Sequence, residues 1–271
     1  MVWAIEPIAL HRVRVPGPEV LFQRAFAEML ELVIYAFVLR SAHGVCLVDT
    51  GLPPDYSALN RDVRARKGAT SGFADAGPPL RQRLDTLGLV PDLLLLTSFG
   101  PYTTGALDAW VQVPLHVSAR GCADLEQPEE PALSHAFTRP VRERLLGAQR
   151  VSGERQILPG LTLLEVGVHH PASAAVVIDT AQGRIAIADP VFLARNLLDG
   201  TALGAAEQAA SWHAMVRKLG ARCDALLPIH DLDPTPVCRD RWHPALKAPS
   251  PGFARPPEGV QENLGRPGVF S

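Results

Sequence analysis

The chain has no surplus of either charge: 26 Lys and Arg stand against 28 Asp and Glu, a net charge of −2 over 271 residues. A near-neutral balance gives no electrostatic reason for a nucleic-acid or anionic-membrane partner, so a small-molecule substrate or ligand, or another protein, is expected. Long hydrophobic runs are also missing. The longest, Leu32 to Leu39, is too short to span a bilayer, and the opening MVWAIEPIAL lacks the basic start and cleavage site of a signal peptide. No membrane partner and a cytoplasmic location are therefore expected. The four cysteines, Cys46, Cys122, Cys223 and Cys238, form no C-x-x-C pair, which argues against a zinc knuckle or redox couple and for reduced, structural thiols. No repeat short enough for a solenoid is visible, and nothing in the composition sets an oligomeric state.

What the chain does have is a 47% hydrophobic content, enough at this length to bury one large core. Ile5 to Val15 and Leu32 to Arg40 read as strands, and the turn Ser41-Ala42-His43-Gly44 leads into a third at Val45 to Val48, ending in Asp49-Thr50-Gly51. LRQRLDTL at 80 to 87 places Leu80, Leu84 and Leu87 on one helical face, and Gly88 stops that helix. Leu93 to Thr97 is apolar without alternation, as in a strand covered on both faces. The order then repeats. Leu161 to Val166, Ala174 to Asp179 and Arg184 to Ala188 are strand-like, Ala205 to Leu219 is helical, and Asp224 to Pro228 is a last short strand before Ile229-His230-Asp231. Two similar half-sheets facing each other follow from this order. Residues 122 to 147, broken by prolines, read as an inserted helical cap on a domain spanning 1 to 243, and the proline-rich residues 244 to 271 read as an extended tail.

Five segments carry a resemblance to the metallo-β-lactamase superfamily, in its lactonase-like branch: LVDTG at 47 to 51, LLLTSFGPYTTGAL at 94 to 107, VGVHHPAS at 166 to 173, IAIADP at 185 to 190 and LLPIHD at 226 to 231. The resemblance covers residues 30 to 235. It implies an αββα sandwich, two mixed sheets flanked by helices, with a metal site along one edge. In that family the second segment reads T-H-x-H-x-D-H-x-G and supplies two ligands to each of two metals. Here Thr97 and Gly105 keep their places, while Ser98, Gly100, Tyr102 and Thr103 stand where the four ligands would be. Metals of this kind need imidazole, carboxylate or thiolate donors, so an ordinary dinuclear zinc site is not expected.

Three family ligand positions survive as His169, Asp189 and His230. Paired metals in such sites lie about 3.5–4 Å apart, close enough for these three to converge on one divalent zinc, iron or manganese ion. The competing reading is that they hydrogen-bond one another and no cofactor is held. His170 is expected to point away from His169 in an extended segment. Asp49 is expected to order the neighbouring loop, as its counterpart does in the family. Ser98, Tyr102 and Thr103 are candidates for lining a substrate pocket, as is Phe192, where lactonase-like members carry a tyrosine that holds the substrate carbonyl. A Ser98 nucleophile paired with His169 or His230 lacks the surrounding G-x-S-x-G elbow. No catalytic residue is assigned. Two functions stay open: an altered hydrolase of the lactone, ester or thioester class, or an inactive relative that binds a small molecule or a protein.

Overall fold

The structure, a computed structural model, describes residues 2–127, 137–204 and 208–247. The chain opens with a long antiparallel hairpin, β1 (Ala4–Pro16) on β2 (Met29–Ser41), which continues into β3 (Gly44–Val48). Then come α1 (Ser57–Lys67), β4 (Phe73–Asp75), α2 (Leu80–Leu87), β5 (Leu93–Leu95) and the single turn α3 (Pro101–Thr104). β6 (Leu115–Ser118), α4 (Ala119–Glu126), α5 (Arg139–Leu146) and β7 (Gln149–Val151) complete the first half. These strands form a seven-stranded mixed sheet in the order β4-β1-β2-β3-β5-β6-β7, parallel from β3 onward.

The second half runs β8 (Glu154–Leu158), β9 (Leu161–Glu165), β10 (Ala174–Thr180), β11 (Gly183–Ala188), α6 (Ala194–Leu198), α7 (Ala209–Gly220), β12 (Ala225–Leu227), β13 (Val237–Cys238) and α8 (Pro244–Lys247). Its six strands lie in the order β13-β12-β11-β10-β9-β8, with only β11 and β12 parallel. Side-chain alternation in the first sheet explains the layering. Phe37, Leu39, Cys46, Val48, Leu93 and Leu95 join the core that includes the second sheet. Ala36, Val38, Leu47 and Leu94 face the other way, toward Leu84, Val141 and Leu145 of the helices. Both faces are therefore dry, as the unalternated run at 93 to 97 predicts. On the far side, Trp212, Val216 and Leu219 of α7 are buried in the core shared with β10 to β12.

The structure adjusts three expectations. The segment 122 to 147, expected to be an inserted helical cap, packs in its described parts on the outer face of the first sheet. α4 and α5 lie in the crossover between the parallel strands β6 and β7, and Cys122, Val141 and Leu145 are buried in the outer core of the first sheet; residues 128–136 lie outside the described region. Leu87 does not share the buried face of Leu80 and Leu84, because α2 ends there and leaves it 40% exposed, while Gly88 caps the helix at φ +65°. The tail does not begin at 244, since α8 buries Leu246 before the described chain stops at Lys247. The late helix begins at Ala209, with 205–207 outside the described residues. No described helix is long and apolar enough to cross a membrane.

Candidate functional site

The candidate residues gather where the connections after β3, β5, β9, β11 and β12 meet at one edge of the two sheets. Asp49 organises the near side. Its buried carboxylate accepts the Thr97 N–H at 2.8 Å and the Thr97 hydroxyl at 2.6 Å, while its own N–H donates to Leu95 at 3.0 Å. Burial raises the Asp49 pKa to about 7 against the opposing Thr97 hydrogen bonds, with the Asp189 charge adding to the rise. The far end of the loop is fixed as firmly. Gly105 donates to Gly51 O at 2.9 Å, and a Cβ at Gly105 would lie 2.2 Å from the Pro53 nitrogen, so no larger residue seats there. The expected structural role of Asp49 thus has a geometric basis: the D-T-G turn clasps the loop at both ends.

Between those ends the side chains turn back on their own backbone. Ser98 Oγ accepts the Gly100 N–H at 3.2 Å, the Thr103 hydroxyl lies between the carbonyls of Ser98 at 2.9 Å and Gly100 at 2.8 Å, and Thr104 Oγ1 donates to Gly100 O at 3.0 Å. Among the described residues no hydrogen bond joins Ser98 to His169 or His230, so the geometry gives the serine no base. Ser98 and Thr103 are buried, and their hydroxyls fasten the loop. Tyr102 is the exception. Its ring covers Gly100, where a Cβ would come within 2.6 Å of Cζ, and meets the His230 ring edge-on at 5.7 Å. Burial pushes the Tyr102 pKa upward, with the charges of Asp189 and Asp49 adding, so its hydroxyl stays neutral.

Opposite this loop, His169 is over-determined. It sits at φ +79°, a left-handed conformation that costs a non-glycine residue about 1–3 kcal/mol unless its surroundings hold it. Here the Gln208 side chain accepts its N–H at 2.8 Å, and Nδ1 donates to Asp189 Oδ2 at 3.0 Å. Ser173 Oγ donates to the same carboxylate oxygen. The segment is therefore a turn and not extended as expected, and His170 closes it by accepting the Ala172 N–H on Nδ1 at 3.0 Å. Burial lowers the His169 pKa, but the charge and hydrogen bond of Asp189 outweigh it and the net shift is upward. Asp189 is fully buried. Burial raises its pKa, and His169, Ser173 and His230 reverse that to a net fall. Each partner thus favours the charged form of the other.

His230 is buried behind them. Its Nδ1 donates to Val33 O at 2.9 Å, and Val33 N–H returns a bond to His230 O at 3.0 Å. Burial lowers its pKa to about 4 against the pull of the Val33 carbonyl and Asp189, which leaves a neutral imidazole with Nε2 unprotonated. Phe192 fills the space between the two imidazoles, edge-on to His169 at 5.3 Å and to His230 at 4.5 Å. The order of rings is therefore Tyr102, His230, Phe192, His169.

These donors fit a metal poorly. Ser98, Gly100, Tyr102 and Thr103 offer no imidazole, carboxylate or ionised oxygen for a pair of ions. The surviving three do not converge either, because His169 directs one ring edge at Asp189 and so carries Nε2 away from it. Among the described residues no group of three or more His, Cys, Asp or Glu is arranged to hold a metal ion. One observation runs the other way: Asp189 Oδ1 is buried with no hydrogen-bond partner. The sequence marks Phe192 as a candidate pocket residue, but its place between the two imidazoles was not legible there.

No family profile and no curated protein matches the chain. Solved structures do. A variant of AiiA from B. thuringiensis, with N-decanoyl-L-homoserine bound at its active site, superposes with a TM-score of 0.70 at 17% identity, over 86% of this chain and 94% of that one. A probable metal-dependent hydrolase from Staphylococcus aureus gives 0.69 at 10% identity, covering 85% and 91%. A putative metallo-β-lactamase from Thermotoga maritima gives 0.56 at 14% identity, covering 88% and 100%. At these identities the likeness establishes the fold: this chain is an αββα sandwich of the metallo-β-lactamase type.

Proposed function

We propose that this protein keeps a hydrolase scaffold without two-metal hydrolysis and uses the edge site to hold a small acyl compound. The observation that carries this reading is the wedge of Phe192 between His169 and His230, with Tyr102 against His230, so that rings stand among the surviving polar groups. Aromatic walls with a few convergent polar groups are what small-molecule sites are made of. The AiiA neighbour holds an N-decanoyl-L-homoserine at its active site, which makes N-acyl homoserines and their lactones the first ligands to test.

Calorimetry of the purified protein with N-decanoyl-L-homoserine lactone, and chromatography of the same mixtures, separates binding from turnover. Binding without hydrolysis is expected, and Phe192→Ala should weaken it about tenfold or more, the loss of one well-packed aromatic contact. Turnover by the protein after incubation with zinc, iron or manganese would sink the non-hydrolytic reading.

A second reading rests on the unpartnered Asp189 Oδ1, since a buried carboxylate oxygen is costly to leave unsatisfied. With the His169 ring turned, His169, Asp189 and His230 would hold one divalent ion. Metal analysis after reconstitution decides this. Less than about a tenth of an equivalent of every metal tried would end the single-ion reading, given the tight affinities that structural and catalytic sites show.

A further inference from the structure

On the helix-covered face of the first sheet, a cavity of about 250 Å³ lies against the back of the loop from Thr97 to Gly105. Thr50 belongs to its wall and donates its hydroxyl to Thr103 O at 2.9 Å. The rings of the edge site take no part in it. Buried Leu10, Leu52, Leu80 and Trp110 give the cavity an apolar floor. Pro53-Pro54 and Pro78-Pro79 stand in its walls, and none of the four has an N–H to offer a ligand. Polar recognition therefore falls to side chains.

Two of those side chains carry opposite charge. Asp75 Oδ1 accepts the Tyr56 hydroxyl at 2.7 Å, while among the described residues no hydrogen bond reaches Oδ2. His11, with Nδ1 at 3.2 Å from Oδ1, is the one basic group within ion-pair distance of Asp75 among the described residues. Burial lowers the His11 pKa against the pull of Asp75, so the imidazole is neutral at pH 7 and the carboxylate lacks a lasting cation. Arg81 sets its guanidinium 5.1 Å from the centre of the Trp110 ring, and its Nε faces Asp85 at 3.4 Å. Among the described residues its terminal nitrogens hold no hydrogen bond, which leaves them for a carboxylate.

We propose that this cavity binds a free α-amino acid with an apolar side chain: Asp75 receives the ammonium group, Arg81 the carboxylate, and the apolar floor the side chain. The volume lies below the about 300–1,000 Å³ of sites for drug-sized ligands, which restricts the occupant to a small molecule. A neutral apolar ligand would leave both charges idle, and a simple amine would bring a second cation to Arg81.

Calorimetry of the full chain uses L-phenylalanine, 2-phenylethylamine, which lacks the carboxylate, and 3-phenylpropionate, which lacks the ammonium. L-Phenylalanine should bind, and each analogue should bind about tenfold more weakly or worse, the loss of one charged hydrogen-bonded contact. Asp75→Asn and Arg81→Gln should each weaken L-phenylalanine binding by about tenfold or more. These side chains are 70% and 62% exposed, so neither change opens the core. No saturable heat with L-phenylalanine overturns the proposal. So does an analogue that binds as tightly as the amino acid, or an unchanged affinity in either variant.

Discussion

His230 and Asp49 are both buried and both shifted, in directions that oppose each other as pH changes. Asp49, raised from 3.8 to about 7, holds a proton in the folded chain that the unfolded chain has released, so its contribution to stability is lost as pH rises toward 7. His230, lowered from 6.5 to about 4, contributes stability that is present above 6.5 and lost as pH falls toward 4. The two windows overlap. Relative to the parent chain, Asp49→Asn should make unfolding free energy rise more with pH between 4.5 and 6.5, and His230→Asn should make it rise less. Each change is at most about 1.4 kcal/mol per pH unit, and urea unfolding at the two pH values measures it. Parallel pH slopes in all three proteins would contradict the assignment. At this scale the sequence showed Asp49, Thr97 and Gly105 plainly, because their types match a known loop. It did not show the left-handed His169 or the Phe192 wedge, since both depend on neighbours distant in the chain: Gln208, Asp189 and His230.

Among elements, the loop from Thr97 to Gly105 is the one whose chemistry and scaffold separate most clearly. Tyr102 lies over Gly100, so a side chain at position 100 meets an aromatic ring and not open space. Gly100→His alone should destabilise the protein by about 1–3 kcal/mol, a typical overpacking penalty. Combined with Tyr102→Asp, which removes the ring, the pair should cost about 1 kcal/mol less than the sum of the single changes. A double-mutant cycle in urea tests this, and strict additivity would show that the ring does not occupy that space. Legibility differed among elements for physical reasons. α2 is read from its leucines to within a residue, whereas α1 buries only Val63 among arginines and polar residues and gives no periodic apolar signal. β8 escapes notice similarly, as an edge strand with three of its five residues exposed.

For the molecule as a whole, Trp3 makes two of the polar links that join the two halves. Its N–H donates to Asp179 O at 2.8 Å and its indole to Pro159 O at 2.9 Å, while its ring is 2% exposed. Trp3→Ala should remove about 3–5 kcal/mol of stability and lower Tm by roughly 10 °C for a chain of this size. Thermal unfolding followed by circular dichroism measures it, and a shift below about 3 °C would mean that the sheets are held together without this residue. The αββα order itself was legible, because strands and helices alternate with the right periods in both halves. The assignment of 122 to 147 to a crossover layer was not, because prolines interrupt its helical pattern and the parallel pairing of β6 with β7 is a long-range fact.

The clasp formed by Asp49 on Thr97, together with the seat of Gly105 against Pro53, fixes where the intervening loop enters and leaves. Neither anchor is made by a side chain from 98 to 104, so the loop's entry and exit are set independently of the chemistry displayed between them.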